Sequence, residues 1–151
     1  MTTYYKHTQF GRLTVSIFLI ALLLFIISEF YVDWHTYATF VFLLLLILLA
    51  LFYSLTVEIT DEKIHIKFGI GLIKKAIKVN HIVEVRQVRN PWYYGWGIRW
   101  FPGGWLYNVS GLDAVEIVMT SGKKYRIGTD EPEKLANELN NIIDIHSNGV
   151  R

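Results

Sequence analysis

LTVEITDEKIHIKF, residues 55–68, is the stretch that decides the fold. Leu55, Val57 and Ile59 occupy every second position before an Asp61-Glu62-Lys63 turn, and Ile64, Ile66 and Phe68 do so after it. Alternation of this kind sends successive side chains to opposite faces of a strand. The stretch therefore predicts two half-buried strands joined by a tight turn.

The same punctuation continues towards the C-terminus. Gly69 and Gly71 break the chain before residues 74–79, and Asn80-His81 breaks it before residues 82–89. Residues 105–109, 114–120 and 123–128 follow, the last two separated by Ser121-Gly122. About seven short strands with turn residues between them predict an antiparallel sandwich or barrel. A helix ends the chain. Asp130 with Glu133 fits a capping box, Pro132 is tolerated in a first turn, and Leu135, Leu139, Ile142 and Ile143 share one face.

Before residue 55 the pattern is different. The chain has 151 residues, 52% hydrophobic and 19% charged, and the apolar excess lies in the first third. Residues 13–28 and 37–57 carry no charge. About 20 apolar residues cross a bilayer, so these stretches predict two transmembrane spans, about 12–32 and 37–57, around an outer loop at 28–36. A cleaved signal peptide is disfavoured: Ile26-Ile27-Ser28 is not a small-x-small site, and a second span follows at once. Lys6 and Arg12 precede the spans, the loop has Glu29 and Asp33 but no Lys or Arg, and all other basic residues follow. The positive-inside rule then predicts a multi-pass protein of the bacterial inner membrane with both termini cytoplasmic. Trp34, Tyr31 and Tyr37 would form the outer aromatic belt and Tyr53 the inner one. The domains read as a hairpin, 1–57, and a cytoplasmic domain, 58–151.

Two long motifs bear on the family. YGWGIRWFPGGWLYNVSGLDAVEI, residues 94–117, and YRIGTDEPEKLANEL, residues 125–139, resemble the membrane-anchored bacterial pleckstrin-homology-like (PH-like) domain proteins. The resemblance implies two spans followed by one PH-like domain, in which a C-terminal helix closes one end of a bent sandwich. It implies no biochemical activity. The expected fold is thus an N-terminal two-helix transmembrane hairpin followed by a mostly-β PH-like domain.

Residues 90–111, NPWYYGWGIRWFPGGWLYNVSG, hold four of the five tryptophans. Trp, Tyr and Arg are the usual anchors of interfaces. Trp92, Tyr93, Tyr94, Trp96, Arg99 and Trp100, with Arg86 and Arg89 beside them, are the candidate interface. Trp105 and Tyr107 read as core. Lys63, Lys67, Lys74, Lys75 and Lys78 follow the second span and could face an anionic leaflet, although exposed strand positions also carry Lys for solubility. The short, partly acidic Asp61-Glu62-Lys63 turn departs from the basic first hairpin loop of phosphoinositide-binding PH domains.

Catalytic chemistry has little support. With no cysteine there is no thiol nucleophile, disulfide or Cys-ligated zinc. The five histidines lack metal-ligand spacing, and His35 with Asp33 and Glu29 reads as a polar turn. Ser110 and Asp113 read as a loop, and Glu58, Glu84 and Glu116 as a solvated sheet face. No catalytic, cofactor or metal residue is assigned. The net charge of +2, with mixed signs, argues against nucleic acid. The function expected is a binding module facing a protein partner or anionic lipid, with homo-oligomerisation compatible. The alternative is a structural member of a membrane complex or a subunit of a membrane enzyme, with Arg99, Asp113 and His81 converging.

Overall fold

The period-two stretch forms two antiparallel strands with Val57 opposite Ile66 and Leu55 opposite Phe68. In the computed structural model, which describes residues 2–29 and 35–148, they are the second and third of nine strands. The order is β1 (Thr3–Phe10), α1 (Arg12–Glu29), α2 (His35–Phe52), β2 (Ser54–Thr60), β3 (Lys63–Phe68), β4 (Ile73–Lys78) and β5 (Ile82–Arg89). Then come β6 (Gly97–Phe101), β7 (Gly104–Asn108), β8 (Asp113–Met119), β9 (Lys124–Gly128) and α3 (Pro132–Asn148). Two sheets form, β1-β2-β3-β4 and β5-β8-β9-β7-β6. All strand pairs are antiparallel except β7 with β9. The expected set of about seven antiparallel strands is corrected on both counts.

The inner faces of the two sheets meet in one apolar core. Ile59, Ile64 and Ile66 from the first sheet and Val115, Ile117 and Ile127 from the second are fully buried. Helix α3 lies on β5, β8 and β1 and closes that side with Leu135, Leu139 and Ile142, as its stripe requires. At its start the Thr129 hydroxyl accepts from the Glu131 N–H at 3.1 Å, while the Asp130 carboxylate meets His7 Nε2 at 2.7 Å.

Two core tyrosines make the sandwich sensitive to alkali. Burial, with Tyr125 beside it, pushes the Tyr107 phenol up to about 12. Burial and the Glu131 carboxylate also raise Tyr5. A phenol that ionises later in the folded than in the unfolded chain contributes stability fully below the unfolded pKa of about 10 and loses it as pH rises through the folded value. Denaturant midpoints are expected to hold steady between pH 8 and about 9.5 and to fall above about 10, less steeply in Tyr107→Phe.

The two helices are inserted between adjacent strands of one sheet. β1 runs into α1 and α2 runs into β2, with Phe10 opposite Ser54 in the ladder. The Gly11 N–H donates to the Tyr53 carbonyl at 2.8 Å, and the Thr14 hydroxyl donates to the Val109 carbonyl at 2.5 Å. At the other side, the Ile70 N–H donates to the Ala50 carbonyl at 3.2 Å, so the β3–β4 turn takes up a free carbonyl of the last turn of α2.

This connection corrects the expected transmembrane hairpin. Among the described residues no helix is long and apolar enough to cross a membrane. The second apolar run does not continue as a helix to Val57: α2 stops at Phe52, and residues 54–60 are a strand. Helix α1 has Arg12 and Glu29 as its end residues. At 1.5 Å per residue, the 18 residues of each helix span about 27 Å, less than a bilayer core of about 30 Å. The integral two-span, multi-pass and inner-membrane assignments fall with the hairpin, and the charge bias has no spans to orient. The aromatic belt expected at Tyr31 and Trp34 lies outside the described residues.

Candidate functional site

The aromatic segment is a lid over the outer face of the five-stranded sheet. From the end of β5, Asn90 donates its N–H to the Leu112 carbonyl at 2.7 Å, and residues Trp92–Tyr94 make one 3₁₀ turn before β6. Register puts Glu116, Arg126 and Leu106 on the face away from the main core. Leu106 and Ala114 are nevertheless fully buried, outside the main core cluster, because the segment covers them. Phe101 belongs to the same small core.

Arg126 fastens this lid. Its Nε donates to Glu116 Oε2 at 2.8 Å and its Nη1 to Asn90 Oδ1 at 3.1 Å. The guanidinium lies 4.5 Å from the centre of the Phe101 ring and 5.8 Å from that of Tyr94, and these two rings stack. Glu116 is only 3% exposed, with Lys124 Nζ at 3.9 Å as a second cation. Its reading as part of a solvated face is therefore corrected. Period two identifies the face a residue occupies, but not what covers that face.

The lid divides its aromatics. Tyr94 packs inward on Phe101, and Trp96 is half-buried, donating Nε1–H to the Gly111 carbonyl at 3.1 Å. Trp92, Tyr93 and Trp100 point outward, 76%, 67% and 69% exposed. Of the two expected core residues, Tyr107 is buried and Trp105 is 38% exposed. The arginines do not gather. Arg86 on β5 pairs with Glu84, and that pairing holds the Glu84 carboxyl below its ordinary value. Arg89 ends the same strand, while Arg99 lies on β6, at the opposite edge of the sheet.

At the base of the hairpin the segment forms a groove of about 590 Å³. Ile17 and Phe18 of α1 and Leu48 and Phe52 of α2 make one wall, and Trp96 and Arg99 stand opposite. Arg99 donates Nε–H to the Trp96 carbonyl at 3.1 Å, and no carboxylate pairs with it among the described residues. Part of the aromatic segment thus sits beside the last turns of α2.

The hairpin beyond the groove is apolar on almost every side. The helices touch along one stripe, with Leu22 and Ala38 buried and Phe25 near Phe42 at 6.4 Å between ring centres. Leu19, Leu23, Leu24, Phe40, Leu44 and Ile47 are each more than half exposed. No polar face runs along either helix, unlike a helix packed on a globular surface.

The residues considered for catalysis do not converge. Thr120, at the far end of β8 from Asp113, donates its N–H to the His81 carbonyl at 2.8 Å. Seven residues of strand separate the two ends, about 23 Å at 3.3 Å per residue. Arg99 lies on a third element, β6. Ser110 is buried, its N–H donating to Asn108 Oδ1 at 3.1 Å. Among the described residues no group of three His, Asp or Glu is arranged to hold a metal ion.

Comparison with known proteins yields no matching family model, no matching curated protein and no matching solved structure.

Proposed function

We propose that this chain is a PH-like binding module without catalytic activity, which docks on a lipid leaflet through the exposed apolar side chains of its helical hairpin, without crossing the bilayer. The observation that carries this reading is the hairpin surface, with Leu24, Phe40 and Leu44 among many exposed apolar side chains and no polar face. Exposed apolar patches of this kind mark partner or membrane contacts. A protein groove covers one stripe of a helix; an acyl phase covers all of it. Trp96 and Arg99 at the hairpin base suit the polar boundary of such a layer, where amphipathic rings and cations settle. Support for the PH-like part comes from two packed sheets followed by one C-terminal helix, and from the two long motifs.

Flotation of the full chain with phosphatidylcholine vesicles tests the reading. The wild type is expected in the floating fraction, and the Leu24→Glu, Leu44→Glu double variant at the bottom with an unchanged β-sheet spectrum. A wild-type chain that stays at the bottom, or that sediments as a fixed-ratio complex with another polypeptide, overturns it.

A further inference from the structure

A second concavity lies on the sandwich itself, where the β4 edge of one sheet faces β6 and β7 of the other. It measures about 350 Å³. Phe68, Ile98 and Trp105 give it an apolar wall, and Lys74, Lys75 and Lys123 stand on its rim. Its lining contains no acidic residue. The Lys75 and Lys123 ammonium groups come to one ring, that of Tyr125, at 5.7 and 5.4 Å from its centre. None of the three lysines pairs with a carboxylate among the described residues, whereas Lys67, Lys124 and Lys134 each do.

Two like charges drawn to one ring repel each other, and the ring quadrupole offsets little of that repulsion at exposed sites. A dianion between them removes the repulsion. A phosphomonoester carries about −1.5 to −2 charges at neutral pH and three acceptor oxygens, which matches the lysines in charge and in donors. The cleft also offers a wall of Trp105 and Ile98 where inorganic phosphate would leave apolar surface uncovered. We propose that this cleft binds an organic phosphomonoester, its phosphate held by Lys75 and Lys123 with Lys74 adding charge, and its apolar body lying on Trp105. No hairpin residue lines the cleft, although it shares Ile98 with the groove at the hairpin base, and the proposal does not depend on how the hairpin docks.

The test is a titration of the full chain in non-ionic detergent, read by isothermal calorimetry, with three probes: inorganic phosphate, phenyl phosphate and dihexanoyl phosphatidic acid. Phenyl phosphate is expected to saturate and to bind more tightly than inorganic phosphate. Charged hydrogen bonds contribute about 1.5–3 kcal/mol, so Lys75→Gln and Lys123→Gln should each weaken it about tenfold or more. Both lysine side chains reach solvent, and Lys67→Gln, outside the cleft, should leave affinity unchanged. Trp105→Ala should remove most of the advantage of phenyl over inorganic phosphate. If phosphatidic acid saturates and phenyl phosphate does not, the site stands and its ligand is a lipid. No saturable binding in any arm, or equal affinity in wild type and both cleft-lysine variants, overturns the proposal.

Discussion

Arg126→Ala is expected to destabilise the sandwich by about 3–5 kcal/mol, the usual cost of removing one partner from a buried ion pair. The carboxylate left behind, Glu116, has only 4% of its side chain exposed, and its remaining cation stands at 3.9 Å. The same substitution removes the donor to Asn90 and the cation over Phe101 and Tyr94. Two readouts separate these effects. The urea midpoint should fall, and amides in the 90–101 segment should exchange faster than those of β2 and β3. A Glu116→Leu, Arg126→Met double variant removes both charges and should regain most of the lost stability, because no uncompensated carboxylate remains. A double variant as unstable as Arg126→Ala would assign the loss to the Asn90 and aromatic contacts instead.

The second large effect is expected at Gly69→Ala. Gly69 has φ +46°, and a Cβ there would fall onto the Ala50 carbonyl oxygen and 2.6 Å from that of Leu51. Both are backbone atoms near the end of α2, which cannot swing aside as a side chain can. Backbone strain at a non-glycine residue of positive φ costs about 1–3 kcal/mol, and the clash adds to it. The variant should therefore lose more than about 3 kcal/mol, or restore space by parting the β3–β4 turn from the helix end. In the second case the hydrogen bond from Ile70 to Ala50 opens and the Ile70 amide loses hydrogen-exchange protection. Gly97→Ala provides the comparison: its φ is also positive, but nothing lies within 4 Å of the added Cβ. It should cost only the conformational strain.

Where the sequence is legible, local pattern and final environment agree. Leu55 to Phe68 alternates because one face of β2 and β3 meets the core, and Leu135, Leu139 and Ile142 repeat because α3 has one buried side. Where it misleads, the deciding contact is distant. β1 has as its partner a strand that follows two helices, so nothing near Tyr5 signals its pairing with Ile59. Leu55 and Val57 are as apolar as a helical span requires, and the strand they occupy is set by β1 and β3 on either side. β6 is hidden in a run of Gly and Trp that reads as a loop. Glu116 is buried by a segment about 20 residues away in the chain. Of the candidate interface, the segment from Trp92 to Trp100 divides between Tyr94, packed inward on Phe101, and the exposed Trp92, Tyr93 and Trp100, and Arg126, which holds it, gives no signal beyond a period-two strand.

Docking requires the hairpin surface to meet lipid, and the chain has no cysteine, so single labelling sites are easily introduced. Spin labels at Leu24→Cys and Leu44→Cys, with Lys123→Cys as a reference on the sandwich, can be measured by power-saturation EPR in phosphatidylcholine vesicles. Both hairpin labels are expected to collide with oxygen and to be shielded from a water-soluble nickel chelate, while the Lys123 label shows the reverse. Hairpin labels that remain as accessible to the nickel chelate as the Lys123 label, or that are shielded from both reagents by protein contact, would contradict docking through the hairpin.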